Sequence, residues 1–221
     1  RGTKRPKTMN LANLREDYTK GGISRSSIKG DPFTQFEEWL EVAHEQKIPD
    51  ANAMTVATAG KDGVVTSRTL LLKGIIDGNL QFFTNYRSQK AQDLTENPNA
   101  SITILWKELE RQICVRGKVE KTSRQTSEDY FKIRPYNSQI GAWVSECQSE
   151  PIVDRATIAN RQNELEMKFP KGTEVPCPEF WGGYNLNPNY IEFWQGRQGR
   201  LHDRLCFSRS GEDWELKRLS P

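Results

Sequence analysis

The chain has 221 residues, a net charge of +3 and a mean hydropathy of −0.78, which fits one large domain with a lean apolar core. No stretch approaches the roughly 20 apolar residues that span a bilayer, and the N-terminal residues lack the apolar run of a signal peptide. The four cysteines form no C-x-x-C pair and there are only two histidines, which argues against a metal centre. We therefore expect a cytoplasmic protein that binds neither membranes nor metal ions.

The positive charge is concentrated at the N-terminus. Residues 1–30 contain eight Lys or Arg and two acidic residues, so they carry +6, while the remaining 191 residues carry −3. We predict a basic leader over residues 1–30, mostly flexible, and a single domain over residues 31–221. A slightly acidic body is not typical of a nucleic-acid groove, so we expect no nucleic-acid partner. Contact of the leader with an anionic polymer stays open as a weaker alternative.

The first predicted element is a helix that begins at Asp31-Pro32, an N-cap residue followed by proline at the first helical position. Apolar residues then recur at helical spacing, which predicts one buried stripe. Residues 51–122 instead show five β-runs separated by tight turns such as Asp77-Gly78, with one short helix near SQKAQDL. Without long helices between the runs, this pattern favours an antiparallel meander or barrel over parallel βαβ units.

The second half of the chain changes from helix to strand. Residues 123–168 are predicted to be largely helical, with caps at Ser123 and Asp154, and a proline-rich loop follows. Four further β-runs complete the chain, in YNLN, YIEFWQG, LHDRLCFSR and DWELKRL. Because the β-runs on both sides of the helices must pair with each other, we predict a mainly β fold of the α+β class, with one barrel and peripheral helices.

Several cationic residues lie in or beside apolar β-runs, where a charge is costly unless a partner compensates it. In the run SRTLLLK, the period of two places Arg68 and Lys73 on opposite faces, so at most one of them points outward. The inward one needs an anion. The alternative is that both protect a sheet edge from aggregation.

A second cationic group is the run GRLHDR, in which an extended strand would place Arg200, His202 and Arg204 on one face. Guanidinium groups suit a phosphate or a carboxylate, and His202 is the residue of this run that exchanges protons near neutral pH. Just upstream, Trp194 offers a wall for a flat ring, although core packing explains it equally well.

A third group is Tyr130, Arg134 and Ser138. At helical spacing Tyr130 and Arg134 share a face, and Pro135 ends the helix so that Ser138 can turn back toward them. Lys90, near a helix N-terminus, is a further anion-binding candidate. The sequence contains no P-loop, no Rossmann glycine pattern and no G-x-S-x-G elbow. These features together indicate a site for two anionic groups, a flat ring and one histidine, which describes a phosphorylated cofactor with a phosphorylated substrate.

At these residues the sequence resembles the pyridoxine 5′-phosphate oxidase family, FMN-dependent enzymes that form pyridoxal 5′-phosphate. The resemblance covers about Arg15 to Pro221 and is carried by SRTLLLKG, FFTNYRSQKAQDLTENPNAS, ERQICVRGKVE, YFKIRPYNSQIGAWVS, FWGGYNL, IEFWQGRQGRLHDR and KRLSP. It implies a split, Greek-key-like antiparallel β-barrel that forms a homodimer, with FMN in clefts at the subunit interface.

The resemblance also implies roles for individual residues. The residues that would bind FMN are Arg68, Thr69, Leu70, Leu71, Phe83, Thr84, Lys90, Gln112, Gln148, Ser149, Trp194 and Arg204. The residues that would bind the substrate, with the first two in a covering segment, are Arg15, Tyr18, Lys73, Tyr130, Arg134, Ser138, Arg200 and His202. Arg200 and His202 would lie over the pyridine ring as the catalytic residues.

The implied reaction is the oxidation of pyridoxine 5′-phosphate or pyridoxamine 5′-phosphate to pyridoxal 5′-phosphate. A hydride passes from the C4′ carbon of the substrate to FMN, O2 then reoxidises the flavin and forms H2O2, and the amine substrate also releases ammonia. The alternative interpretation is a non-catalytic split-barrel protein that binds a flavin or a B6 vitamer.

Two departures from the family pattern concern the FMN site. Gln89 stands where the family usually has arginine, so one positive contact to the FMN phosphate is absent and weaker cofactor binding is expected. The stretch of residues 146–149, which contains Gln148 and Ser149, is one residue longer than usual.

Overall fold

A computed structural model describes residues 17–221; Arg15 and the rest of residues 1–16 lie outside the described part. The helices of this part are α1 (Pro32–Glu45), α2 (Gln89–Glu96), α3 (Arg124–Ile133), α4 (Tyr136–Val144) and α5 (Arg155–Lys168). Its strands are β1 (Ala53–Ala59), β2 (Val65–Leu71), β3 (Gly74–Ile76), β4 (Asn79–Asn85), β5 (Asn99–Trp106), β6 (Arg111–Lys121), β7 (Trp181–Gln195), β8 (Asp203–Ser210) and β9 (Asp213–Leu219).

All strand pairs are antiparallel and belong to one curled sheet. Its order is β2-β1-β5-β6-β7-β4-β3, and β8 pairs with both β7 and β9. The 15-residue strand β7 changes neighbours along its length: its first half lies between β4 and β6, and its second half lies between β6 and β8. The antiparallel, mainly β architecture with peripheral helices is therefore confirmed.

Strand β7 joins two β-runs that we predicted as separate strands. The junction is Pro188, which pairs opposite Gly117 where the β6–β7 register shifts. Proline has no backbone N–H to donate, and sheets accommodate it at such irregularities. The backbone leaves no room for a side chain at Gly117, because a Cβ atom there would overlap the carbonyl oxygen of Asn187. The proline therefore bends the strand pair without ending the strand.

The three predicted helix caps are confirmed. Asp31 accepts a hydrogen bond from the backbone N–H of Thr34 at 2.7 Å, Ser123 accepts one from Thr126 at 3.0 Å, and Asp154 does the same for the first turn of α5. Each cap satisfies an N–H group that the helix itself leaves without a partner. These caps fix where the helices begin around the barrel.

The apolar residues form two cores. The larger one lies between the sheet and α1, with Phe36, Trp39 and Phe193 among its members. The smaller one joins α3, α4 and α5 to the start of β7, with Phe131 and Trp181 among its members. The strand β7 thus contributes to both cores, and its two ends lie in different surroundings.

Part of the predicted leader packs against the barrel. Ile23 and Ile28 are buried in the larger core, and the backbone N–H of Ile23 donates to Asp203 at 3.1 Å. The charge distribution and the helix start at Asp31-Pro32 predict a boundary at residue 31, whereas apolar contacts with the body are already present at residue 23. Across residues 17–221, no helix combines the length and apolar character that a bilayer crossing requires.

Candidate functional site

The predicted site residues within the described chain gather mainly at the two ends of β7. We call these the Trp181 end and the Trp194 end. At about 3.3 Å per residue, the length of a 15-residue strand separates them by as much as ~40 Å. One copy of the chain therefore holds two separate groups of site residues.

Lys90 is the most buried cation at the Trp181 end. Its side chain on α2 is 6% exposed, and its partners within residues 17–221 are the hydroxyl groups of Thr84 at 3.0 Å and Ser88 at 3.1 Å. Burial, followed by the nearby charge of Arg68, lowers the pKa of Lys90 to about 8. A buried ammonium group with neutral partners is a favourable site for an anion.

Arg68 lies beside this lysine on the inner face of β2. Its guanidinium donates to the Thr58 hydroxyl at 2.8 Å and to the Val56 carbonyl at 3.2 Å, and burial lowers its pKa. The carboxylate of Asp93 on α2 accepts from the same Thr58 hydroxyl at 2.7 Å and from the Gln89 amide at 2.8 Å. Gln89 thus takes part in the network that supports this cation pair.

The neighbouring residues of β2 divide between the two faces of the sheet. Leu70 shares the inner face with Arg68, while Thr69 and Leu71 lie on the open outer face. Lys73 follows the end of β2 and is exposed, with its backbone N–H bonded to Gln81 at 2.8 Å. The predicted difference between Arg68 and Lys73 is confirmed, because Arg68 lies on the half-buried inner face and Lys73 is exposed, although β2 itself ends at Leu71.

Three stacked aromatic rings form the other part of the Trp181 end. The Tyr130 ring lies 4.0 Å from that of Phe83, and the Trp181 ring lies 5.6 Å from Phe83 on an almost parallel plane. The Arg134 guanidinium sits 4.5 Å from the Trp181 ring. Ser138 lies in the first turn of α4, where its backbone N–H bonds to the Pro135 carbonyl, so the chain does turn back after α3.

Arg134 carries an unused donor. Its Nη1 atom is the one buried side-chain nitrogen or oxygen of residues 17–221 without a hydrogen-bond partner. Burial also lowers the pKa of this guanidinium. Leaving a buried donor unpaired costs about 1–3 kcal/mol, and more when the group is charged. An external anion that reached Nη1 would remove this cost.

At the Trp194 end, three predicted FMN residues form one row across the sheet. Gln112 on β6 pairs with Trp194 on β7, which pairs with Arg204 on β8. The guanidinium of Arg204 binds both carboxylate oxygens of Glu192, at 2.6 and 3.1 Å, and the Tyr190 hydroxyl donates to the same carboxylate at 2.7 Å. This cation, unlike Lys90, already has an acidic partner within the chain.

Tyr18, Trp194 and His202 form a cluster of three rings. His202 lies 4.7 Å from Trp194 and 5.4 Å from Tyr18, measured between ring centroids. The Nδ1 atom of His202 accepts a hydrogen bond from the backbone N–H of Arg197 at 3.1 Å. A neutral His202 ring therefore carries its proton on Nε2, which leaves that atom as a donor. The structure thus brings the predicted covering residue Tyr18 to the predicted catalytic histidine.

The prediction of one extended strand for Arg200, His202 and Arg204 is wrong. Residues Gln198–Arg200 form a short 3-10 turn, and β8 begins at Asp203. Gly199 and Arg200 both have a φ of 62°, a left-handed conformation that an extended strand does not contain. Arg200 consequently ends the turn, His202 lies in the two-residue link between the turn and β8, and Arg204 alone projects from the strand.

Gln148 and Ser149 lie in the loop after α4. The Ser149 hydroxyl accepts a hydrogen bond from the backbone N–H of Gln89 at 3.2 Å, so this residue lies at the N-terminus of α2, close to Lys90. Gln148 is exposed. Ser149 has a φ of 78°, a left-handed backbone conformation.

Sequence reasoning missed the acidic residues that hold the cations. Asp203 accepts from Arg197 at 3.3 Å and from Arg218 at 2.7 Å, and Glu192 holds Arg204. The alternation of strand residues could have identified Glu192 as a site residue, since it lies two residues before Trp194 and therefore on the same face of the strand. In the part of the chain that the structure describes, no group of three Cys, His, Asp or Glu residues is arranged as a metal site.

Comparison with known families gives matches over most of the chain. The family description "Pyridoxamine 5′-phosphate oxidase" matches residues 40–169, and "Pyridoxine 5′-phosphate oxidase C-terminal dimerisation region" matches residues 181–221. A pyridoxine/pyridoxamine 5′-phosphate oxidase of Trichormus variabilis is 46% identical over 96% of this chain and 98% of its own length. The protein of the same name from Rippkaea orientalis is 47% identical over 96% of this chain and 100% of its own length.

Two solved structures share the fold. PhzG from Burkholderia lata, in complex with tetrahydrophenazine-1-carboxylic acid, has a TM-score of 0.82 and 30% identity, covering 87% of this chain and 94% of that one. A pyridoxamine 5′-phosphate oxidase-related, FMN-binding protein from Nostoc punctiforme has a TM-score of 0.67 and 15% identity, covering 82% and 94%. The predicted split-barrel fold is thereby confirmed. The match of residues 181–221 to a dimerisation region supports a homodimer.

Proposed function

Because this chain belongs to the pyridoxine/pyridoxamine 5′-phosphate oxidase family, we propose that it is an FMN-dependent oxidase that converts pyridoxine 5′-phosphate and pyridoxamine 5′-phosphate to pyridoxal 5′-phosphate. Bound FMN would accept the hydride from the substrate and transfer the electrons to O2, which yields H2O2. The protein's own residues would bind and orient the substrate.

The residues around Lys90 fit the phosphate group of FMN. Lys90 is buried, and its partners within residues 17–221 are neutral hydroxyl groups. Arg68 adds a second positive charge close enough to lower the pKa of the lysine. A phosphate would satisfy both cations at the N-terminus of α2, where the helix dipole also favours an anion.

The observation that carries the proposed substrate class is the unpaired Nη1 atom of Arg134. Arg134 lies on the Trp181 ring and follows Tyr130 by one helical turn, so a guanidinium and a phenol face the same region. A phosphate offers the oxygen atoms that such donors bind. We propose that Lys73 and Ser138 complete this binding site for the 5′-phosphate.

Arg200 and His202 would orient the reacting end of the substrate. They lie at the Trp194 end of β7, whereas Arg134 and Tyr130 lie at the Trp181 end, so one chain does not join the two groups. A homodimer allows the Trp194 end of one copy to meet the Trp181 end of the other. We therefore propose that FMN and substrate bind at the subunit interface. The Nε2–H group of His202 would donate a hydrogen bond to the substrate, which fixes the reacting carbon near the flavin.

The similarity to PhzG suggests a second candidate substrate class. The ligand named in that structure is a carboxylic acid without a phosphate group. The two classes differ in what they offer to Arg134, because a phosphate has more oxygen atoms and more negative charge than a carboxylate. The second alternative, a non-catalytic flavin or vitamer carrier, retains the Lys90 site but has no need for an Arg134 site.

One experiment separates these possibilities. The purified protein is loaded with FMN and supplied in air with pyridoxine 5′-phosphate, with unphosphorylated pyridoxine and with tetrahydrophenazine-1-carboxylic acid. Product formation and H2O2 are followed for each compound. We expect turnover of the phosphorylated compound with at least about a hundredfold preference over pyridoxine, because the phosphate contacts Arg134 through charge-assisted hydrogen bonds.

The other results have distinct meanings. Equal turnover of pyridoxine and its phosphate would contradict the phosphate site, and oxidation of the tricyclic acid alone would favour the PhzG-like class. A protein that binds FMN tightly and oxidises none of the three compounds would favour the carrier.

A further inference from the structure

Residues 18–23 follow a defined path past the Trp194 end of β7. Gly21 has a φ of 109°, which favours glycine. A Cβ atom on Gly22 would overlap the Arg197 guanidinium and lie 2.6 Å from Asp203. The two glycines therefore allow the backbone to pass directly over the Arg197–Asp203 ion pair. The path ends at Ile23, whose carbonyl accepts from Arg218 at 3.1 Å.

Glu110 binds the backbone of this path next to Tyr18. Its carboxylate accepts hydrogen bonds from the N–H of Thr19, at 2.9 and 3.1 Å, and from the N–H of Lys20 at 2.8 Å. Hydrogen bonds to an ionised acceptor are about twice as strong as neutral ones. One side chain thus fixes the two residues that immediately follow Tyr18.

The backbone of Glu110 binds the other side of the ring cluster. Its carbonyl oxygen accepts from the N–H of Gly196 at 2.7 Å and from the Gln195 side chain at 3.1 Å. Gly196 in turn faces Tyr18, because a Cβ atom there would lie 2.7 Å from the Tyr18 ring. Glu110 is therefore bonded both to the segment that carries Tyr18 and to the strand end that receives it.

We propose that Glu110 is a positioning residue that holds Tyr18 against Trp194 and His202. Its carboxylate keeps the covering segment closed, and its backbone carbonyl keeps the Gly196 surface in place. The consequence for turnover rests on the proposed function, since Tyr18 would then cover the substrate between Trp194 and His202. The closed position of the segment itself does not depend on which reaction the site performs.

The test uses Glu110→Ala and Glu110→Gln. Glu108→Gln is the matched control, because Glu108 is an exposed acid in the preceding turn, without a hydrogen bond or ion pair in the described part of the chain. Hydrogen–deuterium exchange of the Thr19 and Lys20 amides and the rate of trypsin cleavage after Lys20 are measured on the full, FMN-loaded dimer. We expect about a tenfold increase of both in Glu110→Ala, a smaller increase in Glu110→Gln and no change in the control.

A kinetic cycle tests the connection to Tyr18. Steady-state constants for pyridoxine 5′-phosphate are compared for the parent protein, Glu110→Ala, Tyr18→Ala and the double variant. We expect Glu110→Ala to raise KM several-fold with a smaller effect on kcat, and we expect this rise to disappear when Tyr18 is already alanine.

Unchanged exchange and cleavage in Glu110→Ala would overturn the proposal. The same would follow if Glu110→Ala raised KM equally with and without Tyr18, because the residue would then act through the strand end alone. If the protein oxidised none of the compounds but the segment opened as expected, the proposed function would fail while Glu110 remained the residue that holds Tyr18.

Discussion

Some of the buried or half-buried cations at the two ends of β7 differ in their partners. At the Trp194 end, Arg204 is paired with Glu192, and Arg197 and Arg218 share Asp203. At the Trp181 end, Lys90 has hydroxyl partners and a donor of Arg134 has none within the described chain. Removing the acid from a buried ion pair would leave an uncompensated charge and reduce stability, whereas a buried cation without an acidic partner reduces stability until an anion binds. The difference supports our proposal that the phosphate groups bind at the Trp181 end, while residues at the Trp194 end orient the substrate.

The largest expected effect comes from removing the unpaired cation. In Arg134→Met, kcat/KM for pyridoxine 5′-phosphate should fall at least about a hundredfold because the phosphate loses charge-assisted hydrogen bonds. The free energy of unfolding should change little, since the variant loses the contact with the Trp181 ring but also removes the cost of the unpaired buried donor. Steady-state kinetics and urea unfolding test both statements. Lys132→Met, which changes an exposed cation in the last turn of α3 two residues before Arg134, is the control. A marked loss of stability in Arg134→Met would show that its charge is compensated within the chain.

Lys90→Met should weaken FMN binding by tens-fold to a hundredfold, for the same reason. In the cofactor-free protein, Lys90 should also make the free energy of unfolding depend on pH. The pKa of Lys90 is lowered to about 8 in the folded state. Between about pH 8 and pH 10.4, Lys90 is therefore mostly protonated in the unfolded chain and mostly deprotonated in the folded one. The free energy of unfolding should therefore rise with pH across this window through Lys90, and this contribution should be absent in Lys90→Met.

Flavin fluorescence titration and urea unfolding from pH 7 to pH 10 test these expectations. Lys61→Met, an exposed lysine in the turn after β1, is the control. Identical pH profiles for the parent protein and Lys90→Met would mean that folding does not lower the pKa of Lys90.

At the Trp194 end, the same kind of change should act on stability. Glu192→Gln removes the acid that binds Arg204 in a largely buried pair, and we expect the protein to lose about 2 kcal/mol of unfolding free energy. The exposed pair of Glu215 and Lys217, with side chains 57% and 54% exposed, is the matched control. Glu215→Gln should change stability by less than about 0.5 kcal/mol. Equal losses in the two variants, measured by urea unfolding, would remove the distinction between the ends of β7.

The smallest effect is expected from placing arginine at position 89, where the sequence resemblance predicts a basic residue. Gln89→Arg places another cation near Lys90 and Arg68, so FMN should bind a few-fold more tightly. Asp93, which accepts from Gln89 at 2.8 Å, remains available to hold the new side chain. A fluorescence titration that shows no gain, or a loss, would mean that a further positive charge at position 89 does not contact FMN.

Local signals in the sequence predicted the local structure well. Asp31, Ser123 and Asp154 were identified as caps because their side chains accept hydrogen bonds from N–H groups of the first helical turn, which is a short-range interaction. The stop of α3 before Pro135 has the same origin. The pattern of apolar residues likewise predicted an antiparallel barrel with helices outside it.

The arrangement of the site depended on longer-range contacts. Arg200 and His202 were assigned to a strand from alternation alone, but Gly199 and Arg200 adopt positive φ angles and the strand begins later. The acidic partners of the cations were also missed, since Glu192 and Asp203 meet arginines through pairing and side-chain contacts that no single run contains. Such contacts are set by the tertiary fold, which explains why residue types were easier to predict than their geometry.

The length and position of β7 have a consequence for how the protein is made. Leu186 in this strand pairs with Leu80, about a hundred residues earlier, and β7 fills the gap between β4 and β6. Until residues 181–195 leave the ribosome, both of those strands present unpaired edges, which are templates for aggregation. Synthesis of the last fifth of the chain therefore completes both ends of the site together, and a chain that stops before Trp181 should accumulate as insoluble or chaperone-bound protein.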